Sequence, residues 1–177
     1  MRIVGGRWAG RDLASPRDFR VRPTAEPVRA ALMDALAAEL PGARVLDLFA
    51  GTGALGLEAL SRGAVRADFV ETRPTSLAAL KRNVARLGAK GRVRVFAHDA
   101  LPFAARCAAG QYDVAFADPP YESRMLDRVL DTWRATGFAR VLAAEHALGH
   151  PLPPGGRRLE FAHGAVTVYR GPAPGAA

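Results

Sequence analysis

The sequence predicts an α/β fold: a seven-stranded, mostly parallel sheet with helices on both faces and an antiparallel hairpin at its C-terminal end. Short apolar runs alternate with amphipathic stretches between residues 44 and 145, which is typical of repeated strand–helix units. Strands that are apolar throughout indicate a parallel sheet buried on both faces. Two final strands instead surround His163 and Gly164, a spacing that favours an antiparallel pair.

Local signals place each element along the chain. The predicted strands cover residues 44–50, 67–71, 93–99, 112–117, 140–145, 158–162 and 165–170. The predicted helices cover residues 26–40, 54–62, 74–87, 101–108 and 124–135. The first helix has Thr24 as its expected N-cap, presents Val28, Leu32, Leu36 and Leu40 on one face, and stops at Pro41-Gly42.

The chain of 177 residues suits one compact domain. We expect a basic N-terminal hairpin and arm over residues 1–25, the main domain over residues 26–170 and a disordered tail over residues 171–177. No run approaches the ~20 apolar residues of a membrane helix, and the N-terminus lacks the apolar stretch of a signal peptide. We therefore expect a cytoplasmic protein without a membrane partner.

Cysteine and histidine usage does not predict a metal site. Cys107 is the only cysteine, which excludes an internal disulfide, and we interpret it as a small core residue rather than a nucleophile because no histidine lies near it in sequence. His146 and His150 lack a well-placed third ligand, and we expect both in a surface loop.

The charge balance indicates a polyanionic partner. The chain has 25 Lys and Arg residues against 17 Asp and Glu residues, a formal net charge of +8, although an arginine-rich composition can also reflect a GC-rich genome. Five N-terminal arginines are candidate RNA contacts, because guanidinium groups bind phosphate and stack on bases: Arg2, Arg7, Arg11, Arg17 and Arg20. The alternative is an exposed segment with solvated charges.

A glycine-rich turn follows the first predicted strand. Gly51, Gly53 and Gly56 satisfy G-x-G-x-x-G, and Glu71 stands where a ribose-binding acid would follow, so a dinucleotide-binding dehydrogenase is one interpretation. However, Asp47 lies inside the strand just before this turn. A pyrophosphate site has no use for a nearby carboxylate, whereas the α-amino group of S-adenosylmethionine would pair with it.

Two further acids end the second and third strands. Glu71 can accept hydrogen bonds from ribose hydroxyls, with a solvated strand end as the alternative. Asp99 can accept from an adenine amino group or cap the following helix, and Ala100 can offer its N–H to the ring.

The fourth strand ends in Asp118-Pro119-Pro120-Tyr121, the most specific signal in the chain. An amino group on a base is a poor nucleophile, because its lone pair is delocalised into the ring. Asp118 and the carbonyl of Pro119 can accept its two N–H groups and turn the lone pair toward a methyl donor, while Tyr121 stacks on the base. The alternative is a proline-rich turn without chemistry.

Several of these motifs together resemble a known family, the bacterial 16S ribosomal RNA guanine-N2 methyltransferases called RsmD. The resemblance spans residues 1 to about 170 and is carried by four segments: Asp47–Ala64, Asp118–Tyr121, Met1–Gly6 and Arg22–Thr24. It implies a Rossmann-like class I methyltransferase that uses S-adenosylmethionine to methylate N2 of a guanine. It also implies that the partner is 16S ribosomal RNA or the assembling small ribosomal subunit; we expect the chain to be a monomer.

The resemblance also assigns site residues. It implies cofactor contacts at Asp47, Phe49, Gly51, Gly53, Glu71, Asp99 and Ala100, and catalysis by residues 118–121. Arg22 and Thr24 match an N-terminal motif that folds over the cofactor side. Ala30 departs from the family, which has an acid there.

Two other functions remain open at this point. An adenine-N6 methyltransferase of DNA or RNA would use the same Asp-Pro-Pro-Tyr motif, although the chain has no room for the recognition insert that such enzymes carry. A catalytically silent RNA-binding module could also retain the fold.

Overall fold

A computed structural model describes residues 1–15, 25–121 and 123–171 of the chain. Its described residues form a seven-stranded sheet in the order β3-β2-β1-β4-β5-β7-β6. The strands are β1 (Arg44–Asp47), β2 (Arg66–Val70), β3 (Val93–Phe96), β4 (Tyr112–Ala117), β5 (Ala139–His146), β6 (Arg157–Phe161) and β7 (Gly164–Arg170). Strands β1 to β5 are parallel, whereas β7 pairs antiparallel with both β5 and β6. The predicted fold class is confirmed.

Helices cover both faces of this sheet. They are α1 (Glu26–Ala35), α2 (Ala54–Ser61), α3 (Pro74–Arg86), α4 (Ala100–Ala105) and α5 (Met125–Thr136). Neighbouring residues of β1 show the two-sided burial: Val45 packs into the core on the α1–α3 side, and Leu46 packs into the core on the α4–α5 side. No helix in these described ranges is long and apolar enough to cross a membrane.

The first helix differs from its prediction at both ends. Its N-cap residue is Ala25 rather than Thr24, which lies outside the described residues. The helix ends at Ala35 instead of Leu40, because the Ala37 and Glu39 N–H groups bond to carbonyls three residues back, as in Glu39 to Leu36 at 2.9 Å. Leu36 and Leu40 are nevertheless buried, so the predicted apolar face is confirmed.

Three elements of the structure are shorter than predicted. β1 ends at Asp47 rather than Ala50, β3 ends at Phe96 rather than Asp99, and α4 spans 100–105 rather than 101–108. After Asp47 the chain keeps only single ladder bonds, from Leu48 to Phe116 and from Ala50 to Val70, and then turns. These residues leave the strands to form loops at the carboxyl edge. The other predicted boundaries lie within two residues of those observed.

The N-terminal residues 1–15 pack directly on the domain. Arg2 and Asp12 form an antiparallel bridge, and Ile3, Trp8 and Leu13 lie within the hydrophobic core. The fully buried carboxylate of Glu58 in α2 accepts hydrogen bonds from the N–H groups of Val4 and Gly5 at 2.9 and 2.7 Å. This segment is therefore attached by both apolar packing and polar bonds.

The surface position predicted for His146 is wrong. This residue ends β5, is only 2 % exposed and bonds to Thr167 through Nε2 at 2.9 Å. A neighbouring strand supplies that hydroxyl, which satisfies the ring inside the protein. His150 lies in the following turn, partly buried, with its Nε2 2.9 Å from Asp127 Oδ1. Cys107 is buried as predicted and bonds to the Phe103 carbonyl.

Candidate active site

A cleft of about 1170 Å³ lies at the carboxyl ends of the parallel strands. Open α/β sheets place ligands at this edge, where the strand order reverses. The reversal falls between β1 and β4, and the residues that follow these strands line one continuous cleft. It contains both Asp47 and Asp118, together with predicted residues Phe49, Gly51, Glu71, Asp99, Ala100, Pro119, Pro120 and Tyr121.

Asp47 ends β1 and is 2 % exposed. Its Oδ2 accepts a hydrogen bond from the Gly56 N–H at 3.1 Å. Burial is the main reason that the pKa of this carboxyl is raised from 3.8 to about 7; the Gly56 N–H lowers it, and the charge of Glu71 adds to the rise. A cationic ligand beside Asp47 would therefore stabilise the carboxylate form.

Glu71 follows β2 and holds the glycine-rich turn to the next loop. Its Oε2 accepts from the Gly51 N–H at 2.8 Å, and its Oε1 accepts from the N–H groups of Thr72 and Arg73 at 2.7 and 2.8 Å. A carboxylate offers about four acceptor positions, so these three bonds leave Oε2 one position for a ligand. Glu71 thus shapes the loop and also borders the cleft.

Asp99 precedes α4 but makes no capping hydrogen bond to it. The structure therefore does not support the alternative role of this carboxylate as a helix cap. Asp99 is exposed and borders the cleft beside the buried Ala100. Phe49, Leu101 and Pro102 add apolar surface nearby, which suits a flat aromatic ring.

The three glycines of the turn have different structural roles. Gly51 lines the cleft, whereas Gly53 is not among the lining residues. Gly53 has φ +81°, and a Cβ there would lie 2.3 Å from Leu80 Cδ1. A Cβ at Gly56 would lie 2.4 Å from the Phe69 ring, so this glycine allows α2 to approach β2.

The Asp-Pro-Pro-Tyr segment forms the other wall of the cleft. Asp118 is partly buried, Pro119 is buried, and Tyr121 is 43 % exposed. The Tyr121 hydroxyl donates to Glu145 Oε1 at 3.0 Å. Burial and the nearby carboxylates of Glu145 and Asp118 raise the pKa of Tyr121, so its hydroxyl is neutral at physiological pH.

Sequence reasoning missed three parts of this cleft. Glu145 in β5 borders it, and so does the β6–β7 turn from Phe161 to Ala165. Ser76 in α3 also lines it, 1 % exposed, and its hydroxyl has no hydrogen-bond partner among the described residues. The rule that singled out Glu71 and Asp99, acids at the carboxyl ends of predicted strands, would have found Glu145; no local signal distinguishes Ser76.

The N-terminal motif residues Arg22 and Thr24 lie outside the described residues, as do Arg17 and Arg20. The start of α1 does border the cleft, at Ala25, Pro27 and Val28. The described start of α1 therefore forms part of the cleft wall.

The other candidate RNA contacts lie outside the cleft. Arg2 is 63 % exposed at its side chain and forms an ion pair with Glu26. Arg7 lies in a shallow groove with Arg92, next to the amino ends of β2 and β3, and both guanidiniums lie about 5 Å from the Trp8 ring, at 5.2 and 5.0 Å. Arg11 is exposed. This basic groove lies at the amino ends of the strands, whereas the cleft lies at their carboxyl ends.

Comparisons with known proteins agree with this geometry. Residues 1–143 match a family model described as Conserved hypothetical protein 95. The ribosomal RNA small subunit methyltransferase D of Escherichia coli K12 is 38 % identical over 138 residues, 78 % of this chain and 69 % of that protein. The protein of that name from Haemophilus influenzae is 33 % identical over 132 residues, 73 % of this chain and 68 % of its own length.

Solved structures show the same fold. A hypothetical protein of Thermus thermophilus superposes with a TM-score of 0.82 at 34 % identity, covering 96 % of this chain and 99 % of that one. An RNA methyltransferase from Salinibacter ruber, in complex with S-adenosyl-L-homocysteine, superposes with a TM-score of 0.67 at 14 % identity, covering 84 % and 93 %. At that identity the second similarity concerns the fold alone.

Sheet order, cleft and the relatives that are named as ribosomal RNA methyltransferases define a Rossmann-like methyltransferase. More narrowly, the chain belongs to the family of the ribosomal RNA small subunit methyltransferase D. Family membership does not support the dehydrogenase interpretation of the G-x-G-x-x-G turn.

Proposed function

We propose that this protein transfers a methyl group from S-adenosylmethionine to the exocyclic N2 amine of a guanine in 16S ribosomal RNA, within the assembling small subunit. One observation carries the proposal: Asp47, at the tip of β1, and Asp118, at the tip of β4, border one continuous cleft. A methyl donor and a base can therefore meet between them. The names of the relatives support ribosomal RNA as the substrate class.

The cofactor half of the cleft has the donors and acceptors that S-adenosylmethionine requires. Asp47, buried and with a raised pKa, pairs with the α-amino group. Glu71 accepts from a ribose hydroxyl, and Asp99 accepts from the adenine amino group beside Ala100 and Phe49. When bound, the cofactor supplies a methyl group on a sulfonium, which is already activated for transfer.

The substrate half positions the amine. Asp118 accepts one N–H hydrogen bond, and the carbonyl of Pro119 accepts the other, so the nitrogen lone pair points across the cleft. Tyr121 stacks on the base and holds its plane. The chain thus contributes orientation and electrostatics, and no covalent enzyme intermediate is needed.

RNA binding outside the cleft is assigned to the N-terminal segment. Arg7 and Arg11 are exposed cations on residues 1–15, which are firmly attached to the domain. Since the groove of Arg7 is on the opposite edge from the cleft, these arginines would hold a part of the RNA away from the target base.

The proposal is tested with tritiated S-adenosylmethionine and small ribosomal subunits from a strain that lacks the endogenous enzyme, followed by nucleoside analysis. We expect labelled N2-methylguanosine with the wild type and a loss of labelling with Asp118→Ala, while binding of S-adenosylhomocysteine is retained. Full methyl transfer by Asp118→Ala would contradict the catalytic assignment. A thermal shift with S-adenosylhomocysteine but none with NAD separates this function from an oxidoreductase.

A further inference from the structure

Asp118 directly follows β4, and Glu145 lies at the same level on the neighbouring strand β5. The last registered pair of the parallel strands β4 and β5 is Ala117 with Ala144, and each acid is the next residue of its own chain. Adjacent strands lie ~4.8 Å apart, and equivalent positions in a parallel pair present their side chains to the same face. Both acids border the cleft. The substrate half therefore holds two carboxyl groups side by side.

Tyr121 fixes where the Glu145 carboxyl lies. Its hydroxyl donates to Glu145 Oε1 at 3.0 Å. The β6–β7 turn closes against the same hydroxyl, since a Cβ on Gly164 would lie 2.8 Å from it. Glu145 is thus held beside the ring that is proposed to stack on the base.

Among the bases that carry an exocyclic amine, only guanine can donate hydrogen bonds to two neighbouring acceptors. Guanine has a ring N1–H directly next to its N2 amine, so its edge presents adjacent donors. Adenine and cytosine have a ring nitrogen lone pair next to the amine, which a carboxylate would repel. A buried hydrogen-bonding group rejects an analogue that cannot pair with it far more strongly than apolar packing does.

We propose that Glu145 determines specificity by accepting the N1–H of guanine, while Asp118 accepts from the N2 amine. This inference rests on the proposed guanine-N2 activity and adds the residue that excludes adenine and cytosine. Glu145 would contact the substrate base and would not contact the methyl donor.

The test uses 2-aminopurine, which has the same amine as guanine but a lone pair at N1. The methylated nucleotide is first located with the wild type, and 16S RNA carrying either guanine or 2-aminopurine there is assembled into subunits. We expect the wild type to prefer guanine by about 100-fold or more in kcat/KM. Glu145→Gln should reduce that preference by roughly tenfold, because its amide can donate to the N1 lone pair.

The matched control is Glu160→Gln, which changes an exposed acid on β6 that pairs with Arg158 and does not line the cleft. It should keep the wild-type preference. Both variants should bind S-adenosylhomocysteine as the wild type does, which excludes misfolding. If the wild type makes N2-methylguanosine but Glu145→Gln keeps the full preference, only the Glu145 assignment fails. If the wild type makes N6-methyladenosine, the proposed function and the Glu145 assignment both fail.

Discussion

The carboxyl of Asp47 and the backbone N–H of Gly56 are 3.1 Å apart and link the tip of β1 to the first turn of α2. This single hydrogen bond does not offset the burial of the acid, whose pKa is raised to about 7. In the ligand-free protein, Asp47 therefore takes up a proton well above the pH at which an exposed aspartate does. Binding of a cationic amino group must remove that proton.

The first prediction concerns the pH dependence of cofactor binding. Affinity for S-adenosylhomocysteine should rise as the pH increases from about 5.5 to 7.5, with a slope that approaches tenfold per pH unit below the Asp47 pKa. Isothermal titration calorimetry across this range measures it. Asp47→Asn should bind more weakly and lose the pH dependence. A constant affinity of the wild type would show that Asp47 does not pair with the ligand's cation.

The raised pKa of Asp47 affects the stability of the ligand-free protein in the opposite direction: stability falls as the pH increases. A carboxyl whose folded pKa lies above its unfolded value binds a proton on folding. Its contribution to the free energy of unfolding is therefore fully present at low pH and is lost as the pH rises from 3.8 to about 7. The added ligand should shift the melting temperature most at the upper end of this range.

A second prediction tests the close approach of α2 to β2. Gly56→Ala places a methyl group 2.4 Å from the Phe69 ring, and both residues lie in the tightly packed core. We expect a loss of about 1–3 kcal/mol in the free energy of unfolding, measured in urea. Gly91→Ala is the matched control, because its Cβ would meet nothing within 4 Å and its φ is not positive. Equal stability of the two variants would contradict the packing argument.

A third prediction concerns Asn83, a fully buried side chain of α3. It accepts from the Ala14 N–H at 2.7 Å and donates to the carbonyls of Ala14 and Thr52 at 3.0 and 2.9 Å. Thr52 belongs to the glycine-rich turn, so Asn83 connects the N-terminal segment to the cofactor half of the cleft.

Asn83→Ala leaves three backbone groups without this partner and should cost about 2 kcal/mol or more in the free energy of unfolding. It should also weaken binding of S-adenosylhomocysteine, because the loop at Thr52 loses a contact. Lys81→Ala, an exposed residue of the same helix, serves as the control and should change neither quantity. A variant that is less stable but binds with unchanged affinity would disprove the link to the cleft.

Asn83 also makes a contact that could not be predicted from the sequence. The spacing of Leu77, Leu80, Val84 and Leu87 predicts one apolar face for α3, because helical periodicity is a local property. The last three of these residues are buried and Leu77 is half-buried. The same periodicity also places Asn83 on that face, but its reason for being buried is Ala14, 69 residues away. No local pattern encodes such a partner.

The residues of the cleft can likewise be separated into those that the sequence predicts and those that it does not. Asp47, Glu71, Asp99 and the Asp118–Tyr121 segment could be expected at one edge, because each lies near or directly after the carboxyl end of a predicted parallel strand and these ends share an edge. The contact of Glu145 with Tyr121 and the closure of the β6–β7 turn against them depend on strand order. That order is a property of the assembled sheet, which the sequence pattern alone does not specify.

The last prediction tests the RNA contact of the N-terminal segment. Replacing Arg7 and Arg11 together with alanine should weaken binding to 16S RNA and reduce the slope of log affinity against log salt by roughly 1.5, as expected for two lost phosphate contacts. Fluorescence anisotropy at several salt concentrations measures the slope. Arg134→Ala with Arg157→Ala is the charge-matched control, since both residues are exposed and lie outside the basic groove and the cleft.

The control separates a local contact from the effect of net charge. Both double variants remove two positive charges, so long-range attraction falls equally in each. A reduced slope confined to Arg7 and Arg11 would identify the N-terminal segment as part of the RNA interface. The same slope in both variants would assign the salt dependence to overall charge, and phosphate binding would then have to come from cations at the cleft, such as Arg73 and Arg128.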